Sequence, residues 1–226
     1  MTTPYEGAVA FEHLTHAQWF VLLSNVAFFL TAWFALRRKQ WIRTVGFVLV
    51  VPASFVFHLA VDTTVIKSEF RWEMADTVAS VYMSVTIVML MAHFHNQLTE
   101  LVIELCMVPI IVWVSYLLVV WSHPDWKFIF PPLAVFVVIV VPTWLVHGLP
   151  PARIPWLMAG LVLTLTGVAF FMFTPLMFQK GPQYRQRDLV FHGLWHLLSG
   201  VGSGFLIYAL RDPHLLNDYT FMGDIV

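Results

Sequence analysis

Charge and cysteine are what this sequence has least of. Only 11% of its 226 residues are Asp, Glu, Lys or Arg, against about 25% in an average soluble domain, which excludes an ordinary water-exposed globule. The single cysteine, Cys106, rules out an intramolecular disulfide and any cysteine-based zinc cluster. The 12 Lys and Arg are nearly balanced by 13 Asp and Glu, which argues neither for nor against nucleic acid, but a basic groove is missing and the chain has too little water-facing surface to build one, so nucleic acid is not an expected partner. Lys39, Lys67, Lys127 and Lys180 all fall between apolar runs, and no span offers the amine of a retinal Schiff base. Met1–Gln18 carries Glu6 and Glu12 but neither Lys nor Arg. It therefore lacks the basic start and small-residue cleavage site of a secretory signal, and the first span is expected to stay as an anchor.

Apolar sequence is what remains, at 59% of residues. Runs near or above the ~18 residues that cross a bilayer as a helix recur at about Gln18–Leu36, Thr44–Val61, Ala75–Ala92, Leu101–Trp121, Phe128–Val146, Trp156–Phe178 and Leu189–Leu210. The expected fold is all-α: a polytopic membrane protein, with one seven-helix bundle domain over residues 1–226, an N-terminal tail at 1–17 and a C-terminal tail at 211–226. Trp41, Trp72, Trp126 and Trp156 sit near span ends, as interfacial aromatic belts do. Gly200-Val201-Gly202-Ser203-Gly204 is a small-residue stripe for close helix approach. Arg37, Arg38, Lys39 and Arg43 crowd the first connector, which the positive-inside rule puts in the cytoplasm, with the N-terminus outside and the C-terminus inside. Lys180, Arg185 and Arg187 oppose this from the last connector, and over all connectors the two sides carry equal Lys and Arg, so the assignment rests on the first loop.

Ionisable groups at bilayer depth cost about 2.5–3.5 kcal/mol on insertion scales, and they usually face the bundle and mark a function. His192 and His196 stand at i and i+4 in Phe191-His192-Gly193-Leu194-Trp195-His196-Leu197, on one helix face, so both can grip one ion. With alternating span directions, His58 near the end of span two and Asp76 at the start of span three reach the same membrane level. Three imidazoles with an open fourth position form the arrangement of catalytic zinc, in which a water becomes a nucleophile near neutral pH. Asp76 is the expected proton acceptor or histidine-orienting carboxylate. Ser54, at i−4 from His58, is placed to orient the water or stabilise an oxyanion, and Ser80, at i+4 from Asp76, to hydrogen-bond it from behind. Each has a plainer reading: a lone membrane histidine as an interhelical hydrogen-bonding group, Ser54 and Ser80 as small packing residues. Asp62, also at i+4 from His58, competes with Asp76 but closes its span, where a carboxylate is solvated. His13, His16, His93, His95, His123, His147 and His214 fall in tails or connectors.

The combination Ser-x-x-x-His in span two (Ser54, His58), Asp-x-x-x-Ser in span three (Asp76, Ser80) and His-x-x-x-His in span seven (His192, His196) resembles the CREST superfamily of seven-helix membrane hydrolases and receptors, over nearly the whole chain. The stretch from Phe191 to Gly200 looks like the last helix of alkaline ceramidases. Leu23-Ser24-Asn25 and the long interval from His58 to Asp76 look like the myomaker branch. The resemblance implies zinc held by His58, His192 and His196, with Ser54 and Asp76 around the water. The chain lacks the cysteine-rich tail of vertebrate myomakers, since Asp212–Val226 contains no cysteine.

Two functions from different classes follow. One is a zinc-dependent intramembrane hydrolase cleaving an amide or ester bond of a membrane lipid, ceramidase- or phospholipase-like. The other is a myomaker-like membrane-remodelling or cell-fusion protein in which zinc is structural. A bis-histidine haem protein would leave the Ser and Asp partners without a task.

Overall fold

The computed structural model describes residues 13–38, 40–62, 69–92, 94, 97–120, 130–148, 152–173 and 182–210. These form seven helices: α1 (His16–Arg37), α2 (Trp41–Asp62), α3 (Glu69–Leu90), α4 (Gln97–Val120), α5 (Phe130–Val135, a π-helical turn Phe136–Val140, then Val141–His147), α6 (Ile154–Phe173) and α7 (Pro182–Ala209). Local chemistry sets their ends. Thr15 and Gln18 form a capping box that opens α1, satisfying two of its orphan backbone donors. Proline stands in the first turn of α5, α6 and α7, at Pro131, Pro155 and Pro182, where its missing N–H has no helical acceptor to lose. Gly148, with φ of +81°, closes α5 in a conformation that favours glycine. The π turn directly precedes Pro142, which cannot donate to the carbonyl one turn back, and the widened turn absorbs that missing bond.

Five helices are long and apolar enough to cross a membrane: His16–Arg37, Trp41–Ala60, Phe70–Leu90, Ile154–Met172 and Arg187–Ala209. The chain is an integral membrane protein by this measure. The other two apolar stretches, Leu101–Leu117 and Pro131–His147, are shorter. Helices also begin earlier than the apolar runs: α3 at Glu69 rather than Ala75, and α7 at Pro182 rather than Leu189. Backbone hydrogen bonding continues into polar flanks that hydropathy leaves out, so Asp76 and His192 lie well inside their helices and not at their openings.

The helix directions follow from paired contacts. α1 and α7 run parallel: Phe20 faces Gly193, Ala27 faces Gly200 and Phe34 faces Gly204. α6 runs antiparallel to α7, with Trp156 against Tyr208 at one end and Phe170 against Phe191 at the other. Gly200 is required here, since a Cβ on it would come within 2.9 Å of the Ala27 backbone. A core of Phe28, Ala32, Ala35, Phe47, Val50, Val51, Met83, Ile87, Leu206 and Ile207 joins α1, α2, α3 and α7. A second core, of Val81, Val85, Met89, Ile111 and Val135, carries α4 and α5 on the other side of α3. Among the described residues α6 packs along α7 and α5 along α3, with no extensive interface between α5 and α6. Leu145, Val146, Val162 and Leu165 are exposed apolar residues on those two helices, as lipid-facing positions are.

The basic first connector is corrected by the structure. Arg43 lies in the first turn of α2, buried, and pairs with buried Glu104 of α4. Arg38 donates to the carbonyls of Leu210 and Tyr208 at the end of α7, and Arg37 lies over the Trp33 ring. Two of the four basic groups expected in the first connector, Arg38 and Arg43, are therefore tied to the bundle. Cys106 is free and exposed on α4.

Candidate metal centre

The site begins with a local distortion of α1. The Ser24 hydroxyl donates to Val21 O at 2.7 Å and the Asn25 amide to Val21 O at 3.1 Å, drawing carbonyls away from the helical ladder. The helix tightens into a 3₁₀ turn over Asn25–Ala27, opposite the approach that Gly200 permits on α7. Thr31 Oγ1 then bonds Gly200 O at 2.8 Å, fixing the two helices in register. This brings Ser24 Oγ to 3.3 Å from His196 Nδ1.

His196 is fully enclosed, and His58 and His192 face it. The ring centroids are 4.7 Å apart for His58 and His192, 5.1 Å for His58 and His196, and 4.6 Å for His192 and His196. His58 Nε2 and His192 Nε2 approach to 3.1 Å, and one ligand nitrogen from each ring lies within 4.8 Å of the others. Nitrogens around a tetrahedral zinc, at bond lengths near 2.0–2.1 Å, are separated by about 3.3 Å. Small ring rotations close the difference.

Hydrogen bonding fits the donor set to a cation. Ser24 has one hydroxyl proton, and Val21 O takes it, so toward His196 the oxygen can only accept. Nδ1 of His196 then carries the proton, and its Nε2 lone pair is left for a ligand. Phe28, Phe171 and Trp195 pack against the histidine rings. Three imidazoles converging in a largely apolar enclosure suit a divalent ion with nitrogen preference.

The other expected residues are all buried: Ser54 on α2, one turn from His58, and Asp76 and Ser80 on α3. Asp76 does not enter the ligand set, which contains only the three histidines among the described residues. Its level agrees with theirs. Measured from the core layer shared by α2, α3 and α7, and with α2 and α3 antiparallel as a helical hairpin, His58, Asp76 and His196 each lie about 13–16 Å along their helices at 1.5 Å per residue. The Asp62 side chain, and His93, His95, His123 and His214, lie outside the described residues, while His13, His16 and His147 are exposed.

Two residues were missed by sequence reading. Ser24 was noted only as part of Leu23-Ser24-Asn25, because nothing local to it reveals a partner 172 positions away. Asp188 had a visible signal: Asp188-x-x-x-His192-x-x-x-His196 continues the i, i+4 series by one more turn. Ending the span at Leu189 left it outside by one residue. It is buried, and neither carboxylate oxygen has a hydrogen-bond partner among the described residues.

The family described as "Protein of unknown function (DUF3522)" matches residues 14–197. The chain belongs to this family. The match runs from just before α1 to one residue beyond His196, so the family's extent takes in Ser24, Ser54, His58, Asp76, Ser80, Asp188 and both α7 histidines. No curated protein matches the chain.

Proposed function

We propose that this DUF3522 protein is a zinc-dependent intramembrane hydrolase that cleaves an amide or ester bond of a membrane lipid, with the CREST superfamily resemblance as its closest chemical parallel. The observation that carries this reading is the three-histidine set, with His58 and His196 buried and His192 partly so, and the His196 tautomer held by Ser24. His58, His192 and His196 would hold the ion, which when bound supplies Lewis acidity toward a carbonyl and toward water.

The remaining work falls to the chain's own groups. Asp76 takes the proton of the attacking water and returns it to the leaving nitrogen or oxygen, so that one water is added as the C–N or C–O bond breaks. Ser54 donates to the developing oxyanion, and Ser80 steadies Asp76. Acyl chains enter sideways from the bilayer, on the side where α5 and α6 share little interface. With the first connector cytoplasmic, the centre lies toward the outer face of a plasma or internal membrane, and the C-terminus is cytoplasmic.

The test is the metal content of detergent-purified protein by elemental mass spectrometry. Near-stoichiometric zinc in the wild type, lost in His192→Ala and kept in Asp76→Ala, is expected. No metal in a well-folded wild type would overturn the reading.

A second reading, a membrane-remodelling protein with structural zinc, is favoured by one observation: the serine of the myomaker-like Leu23-Ser24-Asn25 is the one that contacts His196. It requires lipid rearrangement without product. Asp76→Ala with metal and fold intact but all activity gone would argue against it.

A further inference from the structure

One group at the centre has no task in the chemistry above. Asp188 is only 2% exposed, and both its oxygens lack a hydrogen-bond donor among the described residues. Its sequence neighbour Arg187 acts on it electrostatically while reaching over the Phe191 ring, without a hydrogen bond between the two. A buried carboxylate without donors is costly, so such groups either find a partner or serve one that arrives.

Position says where that partner sits. Asp188, His192 and His196 occupy one face of α7 at successive turns, about 6 Å apart along the axis. Helical side chains lean toward the N-terminus, which brings the His192 ring toward the turn of Asp188. At the deep end of this row, His196 is closed by Ser24 and Phe28. Asp188 stands at the other end of the row, one turn from His192, which is the only partly buried member of the three.

We propose that Asp188 forms a subsite for a hydrogen-bond donor of the lipid, a hydroxyl or N–H close to the carbonyl presented to the histidine centre. This rests on the lipid-hydrolase reading for the identity of the bound carbonyl. A carboxylate accepts and cannot donate, so it favours a lipid with a free hydroxyl or amide N–H beside the scissile bond. It disfavours one in which that position is alkylated, because the carboxylate is then buried with nothing to bind.

Lysophosphatidylcholine and its 2-O-methyl ether, with the same acyl chain, differ only in this donor. Their binding to the zinc-loaded, full-length protein in detergent is measured for wild type, Asp188→Asn and Asp188→Leu, with helical content and zinc content recorded alongside. The expected result is about a 10-fold or greater preference for the free hydroxyl in wild type, reduced in Asp188→Asn and abolished in Asp188→Leu, with zinc unchanged. An equal ratio in wild type and Asp188→Leu overturns the proposal, as does loss of zinc in both variants, which would make Asp188 part of the metal site. Turnover is scored separately. Hydroxyl preference without hydrolysis sinks the hydrolase reading and leaves the subsite, whereas hydrolysis with no dependence on Asp188 does the reverse.

Discussion

Ser24 Oγ and His196 Nδ1, 3.3 Å apart across the α1–α7 interface, determine which nitrogen of that imidazole is left to bind a metal. Because the serine's only proton goes to Val21 O, removing the hydroxyl removes the acceptor that holds the tautomer. Groups that orient a histidine ligand in this way are typically worth about 10–100-fold in metal affinity. Ser24→Ala is therefore expected to weaken zinc binding about 10-fold in a chelator-competition titration, with helical content unchanged. Equal affinity in the two proteins would show that the contact does not tune the centre.

Metal removal follows from the approach of His58 Nε2 and His192 Nε2 to 3.1 Å. Two imidazoles this close can share one proton or one cation, and a cation held there would join α2 to α7 with His196 as a third donor. Binding to the folded state alone stabilises by RT ln(1 + [L]/Kd), about 2.7 kcal/mol at a hundredfold excess over Kd. Chelation should lower the thermal midpoint of wild type, re-addition of zinc should restore it, and His58→Ala should show neither change. A chelator-insensitive midpoint in zinc-containing wild type would argue against the bridge.

On the proposed hydrolase reading, Asp76 is the residue at which catalysis and metal binding should come apart, because it is buried at the level of the histidines yet outside their ligand set. Loss of a general acid–base group typically costs about 10²–10⁴ in rate. Asp76→Asn, which keeps the shape, is expected to retain zinc and thermal stability while hydrolysis of an identified lipid falls by about that factor. A variant with full turnover would remove Asp76 from the mechanism.

Much of this arrangement is legible in the sequence, and the exceptions share a cause. Hydropathy finds the seven helices because lipid-facing and core residues are both apolar, and the i, i+4 spacing of His192 and His196 is a property of one helix. Joining them to His58 required only the alternation of span direction. What stays hidden depends on pairing between distant helices. Ser24 and Gly200 gain their roles from the α1–α7 register. Arg43 reads as a loop charge until Glu104, 61 residues away, is packed against it. Asp188 was lost at a boundary, because a carboxylate ends a hydropathy window even where the helix carries on.

The close approach of α1 and α7 is itself testable. A Cβ on Gly200 would lie 2.9 Å from backbone and side-chain atoms of Ala27, and backbone yields less readily than a side chain. Overpacking of this kind costs about 1–3 kcal/mol. Gly200→Val should lower the thermal midpoint and also weaken zinc binding, since separating the helices withdraws Ser24 from His196. Gly148→Ala, with open space around its Cβ, tests the other use of glycine: its cost comes from the +81° φ and should leave zinc affinity unchanged. Equal effects of both substitutions on zinc binding would sever the link from helix spacing to the metal centre.

The Arg43–Glu104 pair gives the last prediction. Both groups are buried, at 4% and 7% side-chain exposure, and they join α2 to α4, the helix whose main packing among the described residues is on α3. Breaking such a pair from one side strands a charge and costs about 3–5 kcal/mol, whereas replacing both partners by apolar groups of similar volume is often neutral or stabilising. Glu104→Leu alone should therefore destabilise the protein strongly in a detergent unfolding titration. Adding Arg43→Met should recover most of the loss, a coupling that a double-mutant cycle isolates. Additive losses would mean that each side chain acts through other neighbours. Full recovery of stability with turnover still absent would instead assign the pair a functional role, because apolar replacements restore packing but carry no charge.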